Sequence, residues 1–173
     1  MAFTCKFVIV LAAIFIGIIA YVSGDATIIN NVCSKTTMAN YCHKCFDMYS
    51  RSSHEDVKAL GRTSIDCASQ QSLNTMELEG KFVGNATTKA ATNAYLDCSL
   101  KLHSGDQKIT SALQSWQNAR YADAGDQMLA AQQAVRDCSA ALQEFNPSPA
   151  LVVELTTLQG FCQAADGVLK QIK

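Results

Sequence analysis

ATNAYLDCSLKLHSGDQKITSALQSWQNARYADAGDQMLAAQQAVRDCSAAL, residues 91–142, is the stretch from which the rest of the chain can be understood. Ala91, Tyr95, Cys98, Leu102, Gly105, Ile109, Ala112 and Trp116 recur at alternating steps of four and three, the spacing of a buried helix seam. Asn118 reads as a break and as the N-cap of a second helix, in which Tyr121, Met128, Ala131, Val135, Cys138 and Leu142 keep the same rule. Cys98 and Cys138 are equidistant from Asn118. In an antiparallel pair rising about 1.5 Å per residue they come to one height, roughly 30 Å from the turn, and both lie in the seam. The expectation is a helical hairpin stapled by a Cys98–Cys138 disulfide.

Moving outward, Asn146-Pro147-Ser148-Pro149 is the clearest boundary, with Ser148 as N-cap and Pro149 at the first helical position. Leu151, Leu155, Leu158, Cys162, Ala165, Leu169 and Ile172 then form an uninterrupted seam. On the other side, Ser52 and Glu55 have capping-box spacing. A helix from there runs through Val57, Leu60, Ser64, Cys67, Ala68 and Leu73 towards Leu78, and fades between Gly80 and Asn85. Four long helices with short connections give an all-α fold, an up-and-down four-helix bundle over residues 51–173. Breaks near 84, 118 and 147 disfavour one long coiled coil. Residues 25–50 read as a short helical hairpin with Thr36–Asn40 between its helices, each too short to be stable alone. A Cys33–Cys42 bridge would remove about 2.5–3 kcal/mol of unfolded-chain entropy and compensate for that shortness.

Residues 1–24 read as a secretory signal peptide: one lysine, an apolar run from Phe7 to Val22, and small residues Ser23 and Gly24 before Asp25. Cys5 leaves with it, so seven cysteines remain, an odd number for an exported, disulfide-bonded chain. A formal charge of −1 and 17% charged residues supply no basic stripe for nucleic acid. After signal removal no membrane anchor is expected.

Residues that could carry chemistry are sparse. Cys42-His43-Lys44-Cys45 has redox or zinc spacing, but no strand precedes it and no second ligand pair follows, so structural cysteines are the expectation. His43, His54 and His103 have no nucleophile or carboxylate at a telling spacing and read as surface histidines. Asp123 and Asp126 suit the dipole of a helix start. Neither G-x-S-x-G nor H-E-x-x-H occurs. No metal, cofactor or enzymatic activity is expected. Asn85-Ala86-Thr87 is an N-x-T sequon at an interhelix turn, where glycosylation is expected. Cys67 and Cys162 occupy seams of neighbouring helices and are candidates for a third bridge, although their heights differ by roughly 7–10 Å.

The frame Cys33, Cys42, Cys98, Cys138, together with Asp56-Val57-Lys58-Ala59-Leu60-Gly61 and Tyr121-Ala122-Asp123-Ala124, resembles the plant invertase and pectin methylesterase inhibitor family. The resemblance implies a four-helix bundle behind a helical hairpin, bridges Cys33–Cys42 and Cys98–Cys138, and a free buried thiol at Cys162. It also implies a secreted, apoplastic inhibitor that covers the cleft of its target enzyme. Invertase inhibitors of this kind often carry Pro-Lys-Phe at the start of the third bundle helix. Here the segment is Asn118-Ala119-Arg120-Tyr121-Ala122-Asp123, which favours pectin methylesterase over invertase. Arg120, Tyr121 and Asp123 are the expected target contacts. The rival readings are a structural or signalling module that kept the fold without inhibition, and a small-ligand carrier, which the filled seams disfavour.

Overall fold

A computed structural model describes residues 27–49 and 56–173. The expected signal peptide, the expected Ser52–Glu55 capping box and His54 lie outside the described residues. Two short helices come first, α1 (27–33) and α2 (Ala39–Met48). Four long ones follow: α3 (Val57–Val83), α4 (Lys89–Gln117), α5 (Tyr121–Leu142) and α6 (Pro149–Leu169). A 3-10 turn, Gln143–Phe145, precedes the last of them. Each long helix packs on its chain neighbour and α6 closes against α3, which makes the up-and-down bundle expected from the seams.

Local chemistry sets the helix ends. Asp56 caps α3 by accepting from Ala59 N at 2.7 Å, so the described helix starts at Val57, downstream of the expected capping box. Thr88 does the same for α4, accepting from Ala91 N at 3.1 Å. Pro149 opens α6 as expected, but the Ser148 side chain makes no cap bond.

The core follows the α4, α5 and α6 seams closely. Leu102, Ile109, Met128, Val135, Leu142, Leu151, Leu158 and Leu169 are all at most 2% exposed. α3 departs from its expected seam. Leu73 is 52% exposed, while Gln71, Ser72, Thr75 and Glu79 turn inward.

Three disulfides among the described residues close the fold. Cys33–Cys42 joins the two short helices and Cys98–Cys138 joins α4 to α5, with Cα atoms 5.4 and 4.0 Å apart. Cys45–Cys67 ties α2 to α3 with Cα atoms 5.8 Å apart, so the proposed Cys67–Cys162 bridge does not form. The reason is packing. Cys67 looks toward α2, and Cys162 is fully buried in α6 as a free thiol whose pKa burial pushes up to about 12. By loop length alone the 40-residue Cys98–Cys138 closure contributes about 4 kcal/mol.

The N-terminal hairpin lies across α6 because α6 lacks side chains where it crosses. A Cβ at Gly160 would collide with the Tyr41 ring, and one at Gly167 would come within 2.9 Å of Thr36 Cγ2. These two glycines stand two helical turns apart on one face. Tyr41 then meets Phe161 edge-on at 6.1 Å, and Gln171 Nε2 donates to Val32 O at 3.0 Å.

Candidate functional site

The α4–α5 turn is built without a linker. Ala119 N donates to Trp116 O at 3.0 Å and Arg120 N to Ser115 O at 2.8 Å, the paired bonds of a Schellman motif. The residue at its centre takes the left-handed conformation that glycine usually supplies, yet it is Ala119, with φ 56°. Holding an alanine there costs about 1–2 kcal/mol, so the surrounding packing fixes the turn. Asn118 ends α4 rather than beginning α5. Its Nδ2 donates back to Gln114 O at 2.8 Å, and Arg120 takes the N-cap position of α5 without a side-chain cap bond.

α3 braces this turn from one side. Trp116 Nε1 donates to Lys58 O at 3.1 Å, and the Arg62 guanidinium sits 5.8 Å over the Trp116 ring. Arg62 Nε in turn bonds both Asp66 oxygens at 2.9 and 3.0 Å. Lys58 Nζ lies 5.7 Å from the Tyr121 ring centroid. Its hydrogen bond with Tyr121 holds the ammonium above its ordinary pKa. A cation over an aromatic face is attracted by the ring quadrupole, so these contacts hold Trp116 and Tyr121 in place.

The helical period sets a second, polar face on the opposite side of the turn. An open groove of about 290 Å³ runs there between α4 and α5, lined by Ser111, Gln114, Arg120, Asp123, Asp126 and Gln127. Arg120 Nη1 stands 3.6 Å from Asp123 Oδ2, with side chains 60% and 56% exposed. An exposed pair of this kind contributes roughly 0–1 kcal/mol, so both groups can exchange partners at little cost.

Of the expected contacts, Arg120 and Asp123 therefore share the outer face, while Tyr121 is half-buried against α3. Lys58 and Arg62 belong to the same end of the molecule and were missed by sequence reasoning. Their only sequence signal is that Lys58, Arg62 and Asp66 recur at steps of four, one helix face.

The other candidates resolve as structural parts. Cys42 and Cys45 are bonded to Cys33 and Cys67, so the C-x-x-C pair serves two separate staples. Among the described residues no group of three His, Cys, Asp or Glu is placed to hold a metal ion, and no helix is long and apolar enough to cross a membrane. Asn85 is exposed at the α3–α4 connection, at the far end of α4 from Arg120.

No protein-family profile matches the sequence, and no curated protein sequence matches it. Solved structures do. A mutant form of a pectin methylesterase inhibitor from Arabidopsis superposes with a TM-score of 0.74 at 16% identity, covering 84% of this chain and 97% of that one. A pectin methylesterase inhibitor from Arabidopsis thaliana superposes with a TM-score of 0.65 at 16% identity, covering 84% of this chain and 95% of that one. These neighbours are inhibitors rather than enzymes, and they span the hairpin-and-bundle unit almost end to end. The chain has the fold of the pectin methylesterase inhibitors.

Proposed function

We propose that this chain is an exported protein inhibitor of a pectin methylesterase, which acts by seating the α4–α5 end of the bundle over the enzyme's cleft. The observation that carries the reading is the fold, shared over 97% of the length of a pectin methylesterase inhibitor. The absence of Pro-Lys-Phe before Ala122 supports this target over invertase. Export rests on the reading of residues 1–24 as a leader and fits a chain stapled by three disulfides.

A blocking mechanism asks for rigidity rather than chemistry. A preorganised surface loses less conformational entropy on docking, and a turn with no free linker residue offers little to lose. Arg120 and Asp123 project from that turn and contribute charge-paired contacts, while Trp116 and Tyr121 stiffen it from behind.

The test mixes oxidised protein with pectin methylesterase and, separately, with acid invertase, and measures residual activity. Inhibition of the esterase is expected, and the pair Arg120→Ala and Tyr121→Ala should weaken it by about tenfold or more. An unchanged inhibition constant removes the docking placement. Inhibition of invertase alone transfers the target, and inhibition of neither at micromolar concentration leaves a bundle with a structural or signalling role.

A further inference from the structure

We propose that Asn85 carries an N-linked glycan, held at the end of the bundle opposite the docking turn. Asn85-Ala86-Thr87 offers the acceptor pattern, and Asn146-Pro147-Ser148 is excluded as a second acceptor by its central proline. The geometry presents the site outward. Ala86 packs against the core, whereas Gly84, Asn85 and Thr87 on either side are exposed. A Cβ at Gly84 would meet nothing within 4 Å, so the approach to Asn85 is open.

The acceptor nitrogen is already oriented. Asn85 Nδ2 donates to Lys81 O at 2.8 Å, closing the last turn of α3. An amide nitrogen has two hydrogens and this bond uses one of them. In the transfer the Nδ2–C1 bond forms to an oligosaccharide carried on a polyprenyl pyrophosphate. The C1–O bond to the pyrophosphate breaks, the lipid pyrophosphate leaves with the electron pair, and the second Nδ2 proton passes to a base. The first stays on Nδ2, which still donates it to Lys81 O, so the helix keeps its cap and the sugar projects from the solvent side. The 29 residues of α4 separate this connection from Arg120 by roughly 43 Å, so the glycan shields one end of the bundle and leaves the other bare.

The placement relative to docking rests on the inhibitor reading above, while the modification itself rests only on export. The full chain is expressed in a eukaryotic secretory host and its mass taken before and after peptide N-glycosidase. Expected are a glycoform that the enzyme reduces to polypeptide mass, its loss in Thr87→Ala, which keeps the Asn85–Lys81 bond, and the same inhibition constant with and without the glycan. Secreted chain at bare polypeptide mass overturns the modification, and chain retained in the cytosol overturns export along with it. A tenfold change in inhibition between the parent and Thr87→Ala overturns the distal placement. Should no esterase be inhibited, the mass measurement still decides the modification.

Discussion

The inward faces of α6 and α3 run side by side through the bundle and are made of opposite materials. On α6 every seam position from Leu151 to Leu169 is apolar and at most 2% exposed. α3 begins mostly apolar, with Leu60, Ile65, Cys67 and Ala68 around the buried hydroxyl residues Thr63 and Ser64, and then turns polar: Gln71, Ser72, Thr75 and Glu79 are buried. Some of that polarity is satisfied. Thr75 Oγ1 donates to Gln71 O at 2.8 Å, and Gln71 Nε2 bonds the Glu154 carboxylate of α6. Ser72 Oγ and Glu79 Oε1 on α3 have no hydrogen-bond partner among the described residues; on α6 Asp166 Oδ1 shares that state, although its other oxygen is bonded by Lys170. Packed apolar side chains hold most of the α6 face, where Thr157 and Asp166 are the buried polar groups, whereas the second half of α3 concentrates groups whose desolvation works against folding. Substitutions at equivalent depth should therefore have opposite signs.

The largest effect is expected on α6. Leu158→Ala removes a side chain that is 1% exposed and leaves a cavity where α6 meets the core, costing about 2–5 kcal/mol. Urea unfolding monitored by helical circular dichroism measures it. A loss under about 1 kcal/mol would mean that the α6 face is no better packed than the α3 face, and the contrast would collapse.

Next comes Glu79. Burial raises its pKa above the ordinary 4.5, and a hydrogen bond from Ser99 and the His103 charge only partly oppose this. A carboxyl raised in the folded state contributes stability that is complete below its unfolded value and is lost as pH rises through its folded value. The wild-type protein should therefore lose stability as pH climbs from the unfolded carboxylate range through the folded one. Glu79→Gln should flatten that slope, gaining about 1–3 kcal/mol at pH 7 and almost nothing near pH 4. Melting curves taken at both pH values decide it. Parallel pH profiles for the two proteins would show that Glu79 is not what sets the dependence.

The same contrast explains how much could be seen from sequence. Apolar side chains at steps of three and four mark α4, α5 and α6, and each assigned seam is buried except at its ends, where Ala91, Trp116, Tyr121 and Ile172 are half-buried. In the second half of α3 that signal fails, because the period weighs leucine above serine. The period puts Leu73 inward and gives Ser72 no weight, and the structure reverses them. Mirror spacing found Cys98–Cys138 because a tight turn fixes both partners locally. Cys45–Cys67 was invisible, since it depends on where α2 crosses the bundle, and that crossing is set by the bare backbone at Gly160 and Gly167. The candidate site divides in the same way. Arg120 and Asp123 stand at a turn that the sequence announces. Lys58 and Arg62 reach that turn only through the packing of α3 on Trp116.

The smallest expected effect is the sharpest discriminator. Ser72 is 1% exposed, and its hydroxyl oxygen is unpaired in the described structure. Ser72→Ala deletes that oxygen, keeps Cβ, and places a better helix former in the middle of α3. On an apolar face the loss of one heavy atom costs packing, but here the atom removed was desolvated with nothing to bond. The substitution should thus be neutral or stabilise by up to about 1 kcal/mol, read as an unchanged or raised urea midpoint with the same slope. A loss of about 1 kcal/mol or more would mean that the hydroxyl is satisfied in solution. The polar half of α3 would then be a bonded network that fixes the register of α3 against α4 and α6, and the opposition between the two faces would be one of chemistry without a difference in stability.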